Sequence, residues 1–231
     1  MAIKHLFIVF NAVASPALAQ IGTASLTWQA SLDGGETWSS NEIQTLTGTS
    51  IRVRALASWS PDAGYSFASS RFDAFVRGLF GAGSQDTVTE WSIPAPLLTV
   101  QTVVSARFGD TIKIDDARDS NPPGRGNYSL SPLQQFEQSG VPHTRANPVA
   151  VFQYTLNLDQ SAGVREVSSA WFRPPVGAVV PIRLWRGPAG ADLQNVPATT
   201  LVPLRINVVV PAPAPTIVVA TGMACMLRRR R

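Results

Sequence analysis

The chain has 231 residues, of which 45% are apolar and only 15% charged, against about 25% in ordinary soluble proteins. That content suffices for a packed core, and the length suits one or two domains. The pI of 9.8 is a property of the ends: without Lys4 and Arg228, Arg229, Arg230 and Arg231, the remaining 14 basic residues face 15 acidic ones, which excludes a basic face for nucleic acid.

Residues 1–20 read MAIKHLFIVFNAVASPALAQ. Lys4 and His5 make a short positive start, and Leu6 to Ala14 is an apolar stretch. Ala17-Leu18-Ala19 gives small residues around a cleavage point before Gln20. This is the layout of a secretory signal peptide over residues 1–19, and it predicts export. The single cysteine, Cys225, falls near the other end, so the body has no internal disulfide. A body of about 190 residues can build its core without one.

Residues 20–210 predict an all-β fold, a β-sandwich of jelly-roll or immunoglobulin-like type with roughly nine to eleven strands. Seventeen glycines, eighteen prolines and many Ser, Thr and Val favour strands and turns. The first strand is Ala24–Ala30, with Leu26, Trp28 and Ala30 on one side. After it comes SLDGGETWSS, in which Ser31, Asp33, Gly35, Thr37 and Trp38 fit the pattern S-x-D-x-G-x-T-W.

That pattern resembles the Asp-box of sialidases and other β-propellers. The resemblance implies a hairpin in which Asp33 caps backbone amides, glycine takes a positive φ and the aromatic packs beneath. The residue chemistry agrees: Asp33 suits an Asx-type turn, Gly34 and Gly35 tolerate φ > 0, and Thr37-Trp38 restarts a strand. The motif occurs once, and a propeller needs about four or more repeated blades. The box is therefore read as a structural turn rather than the mark of a sialidase.

Further along, Ile51–Ala57 alternates with Arg52 and Arg54 outward. Phe72, Ala74 and Val76 alternate against Arg71, Asp73, Phe75 and Arg77. Later candidates are Thr87–Ser92, Leu97–Phe108, Thr111–Ile114, Val149–Leu158, Glu166–Phe172, Val179–Trp185 and Leu201–Val210. Turn residues at Pro61–Gly64, Gly81–Gly83, Gly109-Asp110 and Gly187-Pro188 separate them. Asp116 to Pro148 reads as a long polar insert, and residues 187–200 as a second loop.

Catalytic constellations are sparse. Asp115 to Asn121 gathers oxygen ligands, but the spacing is not that of an EF-hand and Arg118 opposes a cation, so a solvated loop is preferred to a calcium site. His143 is the body's one histidine and lies in the polar insert, which excludes a histidine metal cluster. No G-x-S-x-G elbow accompanies it. A glycoside hydrolase would pair Asp73 with Asp86, Glu90 or Asp115. Trp28, Trp59, Trp91, Trp171 and Trp185 are expected mostly in the core, with one or two left to stack on sugar rings.

Residues 211–231 read PAPAPTIVVATGMACMLRRRR. Pro211, Pro213 and Pro215 favour an extended spacer. Thr216 to Leu227 is apolar, and as a helix it would span about 18 Å, short of a ~30 Å hydrocarbon core. Arg228 to Arg231 should stay cytoplasmic. This order resembles the bacterial PEP-CTERM sorting signal, with Ala214 where that family carries Glu. The resemblance covers about the last 20 residues. It implies handling by an exosortase, a membrane-embedded protease, and a transient membrane anchor.

The sequence thus predicts an exported, non-catalytic structural or interaction protein of the cell surface or extracellular matrix, with no cofactor or metal. Its expected partners are the secretion machinery and an exosortase-like protease. A polysaccharide-binding module is the first alternative and a secreted glycoside hydrolase the second.

Overall fold

The computed structural model describes residues 22–60, 64–78, 85–95, 97, 102–116, 130–132, 146–171, 182–186, 192–196 and 199–212. The first eight strands are β1 (Thr23–Ser31), β2 (Ser39–Ser40), β3 (Glu42–Leu46), β4 (Ser50–Ser60), β5 (Ser66–Ser70), β6 (Phe72–Gly78), β7 (Thr87–Ser92) and β8 (Val103–Phe108). Then follow β9 (Thr111–Asp116), β10 (Val149–Asn157), β11 (Gly163–Trp171), β12 (Ile182–Arg186), β13 (Asp192–Val196), β14 (Thr199–Val202) and β15 (Leu204–Val209). They form a first sheet in the order β14-β1-β4-β10-β7, with β2 also on β1, and a second in the order β3-β15-β11-β6-β9-β8. A three-stranded sheet, β13-β12-β5, completes an all-β, sandwich-like architecture.

Period-two alternation explains the two layers. In β4, Ile51, Val53, Ala55, Ala57 and Trp59 are buried, while the intervening residues are half-buried on the opposite face. In β1, Ala24, Leu26, Trp28 and Ala30 point the same way. The register sets large against small: Trp28 opposes Ala55, and Leu26 opposes Ala57. That arrangement lets a big ring lie flat in a close-packed core. Facing these side chains across the core are Phe72, Ala74, Val76, Ile112, Ile114, Val167, Leu204 and Ile206 of the second sheet.

Aromatic edges lock the layers together. Trp28 meets Phe72 at 6.3 Å and Tyr154 at 6.0 Å, both T-shaped, and Phe72 meets Phe152 at 6.5 Å. The Trp28 indole N–H crosses the core to donate to Ser169 Oγ at 2.8 Å. Burial pushes the Tyr154 hydroxyl pKa upward.

The chain crosses between the two large sheets at a single residue twice. Asn41, with φ of 72°, separates β2 in the first sheet from β3 in the second. Its left-handed backbone makes the corner, and its carbonyl accepts from Arg205 N at 2.7 Å. Pro203 lies between β14 and β15 in the same way, where a missing N–H ends the ladder. The two parallel pairings, β1 with β14 and β3 with β15, flank these corners.

Several expectations are corrected. There are fifteen strands among the described residues, more than the nine to eleven expected. The surplus comes from short strands, β2, β3, β5 and β13, whose polar or mixed sequences hide their period. Thr37-Trp38 precedes β2 instead of starting it. The expected loop at 187–200 contains β13 and the start of β14, and Leu201–Val210 divides at Pro203. Leu97 lies outside any strand. Within the expected polar insert, Asp116 ends β9, and Leu130 is fully buried, exchanging backbone bonds of 3.1 and 3.0 Å with Phe72. Phe75 and Asp73, read as outward residues of β6, are buried as well, so both faces of that strand are covered.

Candidate functional site

The outer face of the first sheet is a continuous polar surface across β1, β4, β10 and β7. Its centre is a transverse row, Gln29 on β1, Arg54 on β4, Gln153 on β10 and Ser92 on β7, each directly paired in register with the next. Four neighbouring strands span about 14 Å. Hydrogen bonds fix the row: Arg54 Nε donates to Gln29 Oε1 at 2.9 Å, Gln29 Nε2 to Ser40 Oγ at 2.9 Å, and Gln153 Nε2 to Ser92 Oγ at 2.9 Å. Above and below lie Ser25 with Ser58 at 2.7 Å, Thr155 donating to Glu90 at 2.8 Å, and Asn157 donating to Thr89 at 3.0 Å.

One tryptophan is stacked on this face, and a second is exposed on its edge strand. Trp38 is half-buried, and the Arg54 guanidinium carbon stands 4.0 Å from its ring centre. Trp91 is 39% exposed on β7, the edge strand, beside Ser92. It sits next to Glu90, whose φ of 50° marks an irregular step in the pairing of β7 with β10.

The Ser31–Trp38 segment holds Trp38 in place. Asp33 accepts from the amides of Glu36 and Thr37 at 3.0 Å and from Thr37 Oγ1 at 2.5 Å. Ser31 Oγ donates to Asp33 at 2.5 Å and accepts from the Gly35 amide at 2.7 Å. Gly34 and Gly35 have φ of 79° and 110°. The Trp38 indole N–H closes the turn on the Gly35 carbonyl at 3.0 Å. The Ser31 hydroxyl, then the Thr37 hydroxyl and the two amides, hold the Asp33 pKa well below the usual carboxylate value.

The carboxylates suggested for hydrolysis have separate surroundings. Asp86 is buried against Arg165, which donates from Nε to Oδ2 at 2.8 Å and from Nη2 to Oδ1 at 3.2 Å. Arg165 also bonds Asp159 at 2.9 Å, and Asp159 N donates to Asp86 at 2.9 Å. Glu90 belongs to the outer face of the first sheet and accepts from Thr155. Asp115 pairs with Lys113 at 2.5 Å on β9, in the other layer, adjacent to β6 where Asp73 stands. Asp86 and Glu90 are thus not brought to Asp73, while Asp73 and Asp115 lie on neighbouring strands.

Asp115 and Asp116 are strand residues, not members of a solvated loop; the remaining residues of that acidic stretch lie outside the described residues. No group of three or more acidic, His or Cys ligands that could hold a metal occurs among the described residues. Trp28, Trp59 and Trp185 are buried, and Trp171 packs partly against the core. His143, Ala17, Ala19, Pro213, Pro215 and Arg228 to Arg231 lie outside the described residues, as does the expected apolar helix. Pro211 is described and exposed, just beyond β15.

Sequence reading missed the Arg165 cluster. The signal was present: Arg165, Val167, Ser169 and Trp171 share one face of β11, so a strand begun two residues earlier points Arg165 inward.

No family model matches the sequence, and no curated protein matches it. The solved structures similar to it include cohesin modules. The OlpA cohesin in a type I cohesin–dockerin complex from Clostridium thermocellum gives a TM-score of 0.44 at 10% identity, over 81% of this chain and 100% of that one. The seventh ScaB type I cohesin from Pseudobacteroides cellulosolvens gives 0.42 at 10% identity, over 84% and 95%. A non-cellulosomal cohesin from the archaeon Archaeoglobus fulgidus gives 0.35 at 9%, over 83% and 92%. Likeness at this level carries no argument about this chain's family or partners.

Proposed function

We propose that the chain is an exported, non-catalytic structural or interaction protein, delivered to the cell surface or extracellular matrix by a PEP-CTERM-like tail. The observation that carries this reading is the order of segments. A charged, apolar and small-residue leader precedes a strand-built body; a proline spacer, an apolar run and four arginines follow it. In support, β15 is followed by Val210, 64% exposed, and by exposed Pro211 and Ala212, so the spacer begins outside the sheets. Structural commitments of four described carboxylates support a non-catalytic reading: Asp33 caps a turn, Asp86 and Asp159 hold Arg165, and Asp115 holds Lys113.

Cell fractionation tests the proposal. The full-length chain is expected in the envelope or medium, and a chain lacking residues 211–231 is expected to lose envelope association. Intact mass is expected to place the start at Gln20 and to lack the four closing arginines. A full-length chain retained in the cytoplasm with Met1 in place overturns it.

Polysaccharide binding is a second reading, and one observation favours it. The outer face of the first sheet presents amides, hydroxyls and guanidiniums in rows, with the Trp38 ring stacked against Arg54. Hydroxyl-rich polymers use that combination of polar edges and stacking faces.

A further inference from the structure

We infer that the outer face of the first sheet takes an acidic polysaccharide, with Arg52 and Arg54 receiving its carboxylates. This rests on the polysaccharide-binding reading and names the ligand's charge. The argument starts from what the face lacks. Strands β1, β4, β7 and β10 carry three charged residues: Arg52, Arg54 and Glu90. Glu90 is engaged by the Thr155 hydroxyl. Among the described residues, no carboxylate lies within ion-pair distance of either arginine.

The two guanidiniums are also placed for repeated use. Residues 52 and 54 share the outer face of β4, a central strand, with their Cα atoms about 7 Å apart. Arg54 is half-buried, and that burial lowers its pKa. It is fixed by Gln29 on one side and by the Trp38 ring on the other. A cation held partly out of water without a counterion carries a desolvation cost that an arriving anion offsets. Arg52 makes no hydrogen bond to a described residue, so its donors are open to a ligand. Guanidinium groups match carboxylates with two parallel bonds.

Chemistry favours a glycan over an acidic protein. Protein interfaces centre on a desolvated apolar core. This face offers Gln29, Gln153, Asn157, Ser25, Ser58, Thr89 and Thr155, with Leu56 and Ala150 as minor apolar exceptions. Amides and hydroxyls in rows suit sugar hydroxyls.

The test measures binding of the purified full-length chain to alginate, neutral dextran and polyglutamate. Alginate binding is expected, weakening at least tenfold when salt rises from roughly 0.05 to roughly 0.5 M. Arg52→Gln is expected to weaken it about tenfold, the loss of one charge-assisted bond. Arg52 is half-buried but has no hydrogen bond or ion pair to a described residue, so an unchanged unfolding midpoint separates this effect from misfolding. Arg54→Gln should act likewise. Equal binding to dextran, insensitive to salt and to both substitutions, overturns the charge assignment and leaves the polysaccharide reading standing. Absence of binding to both glycans overturns both, and polyglutamate bound more tightly than alginate transfers the face to an acidic protein.

Discussion

Arg165 reaches from β11 of one layer to Asp86, at the entrance to β7 of the other, and grips both carboxylate oxygens in the interior. The Arg165 side chain is fully buried and that of Asp86 nearly so. Carbonyls of Ser161 and Gly163 and the Asp159 carboxylate occupy its other donors. Removing one partner of such a pair strands the other's charge, so Asp86→Ala is expected to cost about 3–5 kcal/mol. Replacing both, as Asp86→Leu with Arg165→Met, is expected to recover most of that loss. Urea unfolding of the three chains checks both statements. A single-variant cost under about 1 kcal/mol contradicts the first.

Asp159 makes this cluster sensitive to acid. Burial pushes its pKa up, but the amides of Gln85 and Ser161, the Ser161 hydroxyl and the Arg165 charge outweigh that, and the net shift is downward from 3.8. A carboxylate with a depressed folded pKa contributes stability that is complete above the unfolded value and lost as pH falls through the folded one. The urea midpoint is therefore expected to be flat between about pH 7 and pH 5 and to drop below about pH 4. Asp159→Asn should lower the midpoint at neutral pH and flatten the acid limb. An acid limb as steep as in the parent chain would argue against this source.

The Asp33 turn should behave locally. Its bonds to Glu36 and Thr37 lie at the surface, outside the core, and only the one to Ser31 is part-buried. Asp33→Ala is expected to raise amide hydrogen exchange at Glu36 and Thr37 by at least tenfold, leaving the global unfolding midpoint nearly unchanged. Because the turn positions Trp38 over Arg54, indole fluorescence should also become more mobile. Unchanged exchange at both amides would show that the carboxylate is not what closes the turn.

The two layers were legible in the sequence because β1 and β4 keep period-two burial over most of their nine and eleven residues. A strand such as Asp192–Val196 gives no such signal. It pairs with β12 at the rim of a small sheet, and Leu193 is exposed there. Sheet-switching corners were hidden for a different reason: Asn41 and Pro203 look like ordinary turn residues, and only long-range pairing shows that the chain changes layer at them. The polar face was half legible. Alternation puts Arg52 and Arg54 outward, but the register that sets Gln153 and Ser92 beside Arg54 joins residues about a hundred positions apart in the chain. Likewise Asp86 reads as a surface acid until β11 supplies Arg165.

Leu130 sits in a largely polar stretch between Ser129 and Ser131, and its effect should be out of proportion to its surroundings. It is fully buried, belongs to the core cluster, and exchanges two backbone bonds with Phe72. The Pro132 carbonyl extends that pairing by accepting from Ser70 N at 3.1 Å. Leu130→Ala deletes the side chain that fills this position, and the partner Phe72 is held by Trp28 and Phe152 and cannot collapse into the gap. A cavity that does not close costs about 2–5 kcal/mol. Leu130→Met, which keeps the volume, should cost less than about 1.5 kcal/mol. Denaturant unfolding of the two variants decides it: equal losses would mean that the backbone pairing with Phe72, rather than the buried side chain, holds this segment to the sandwich.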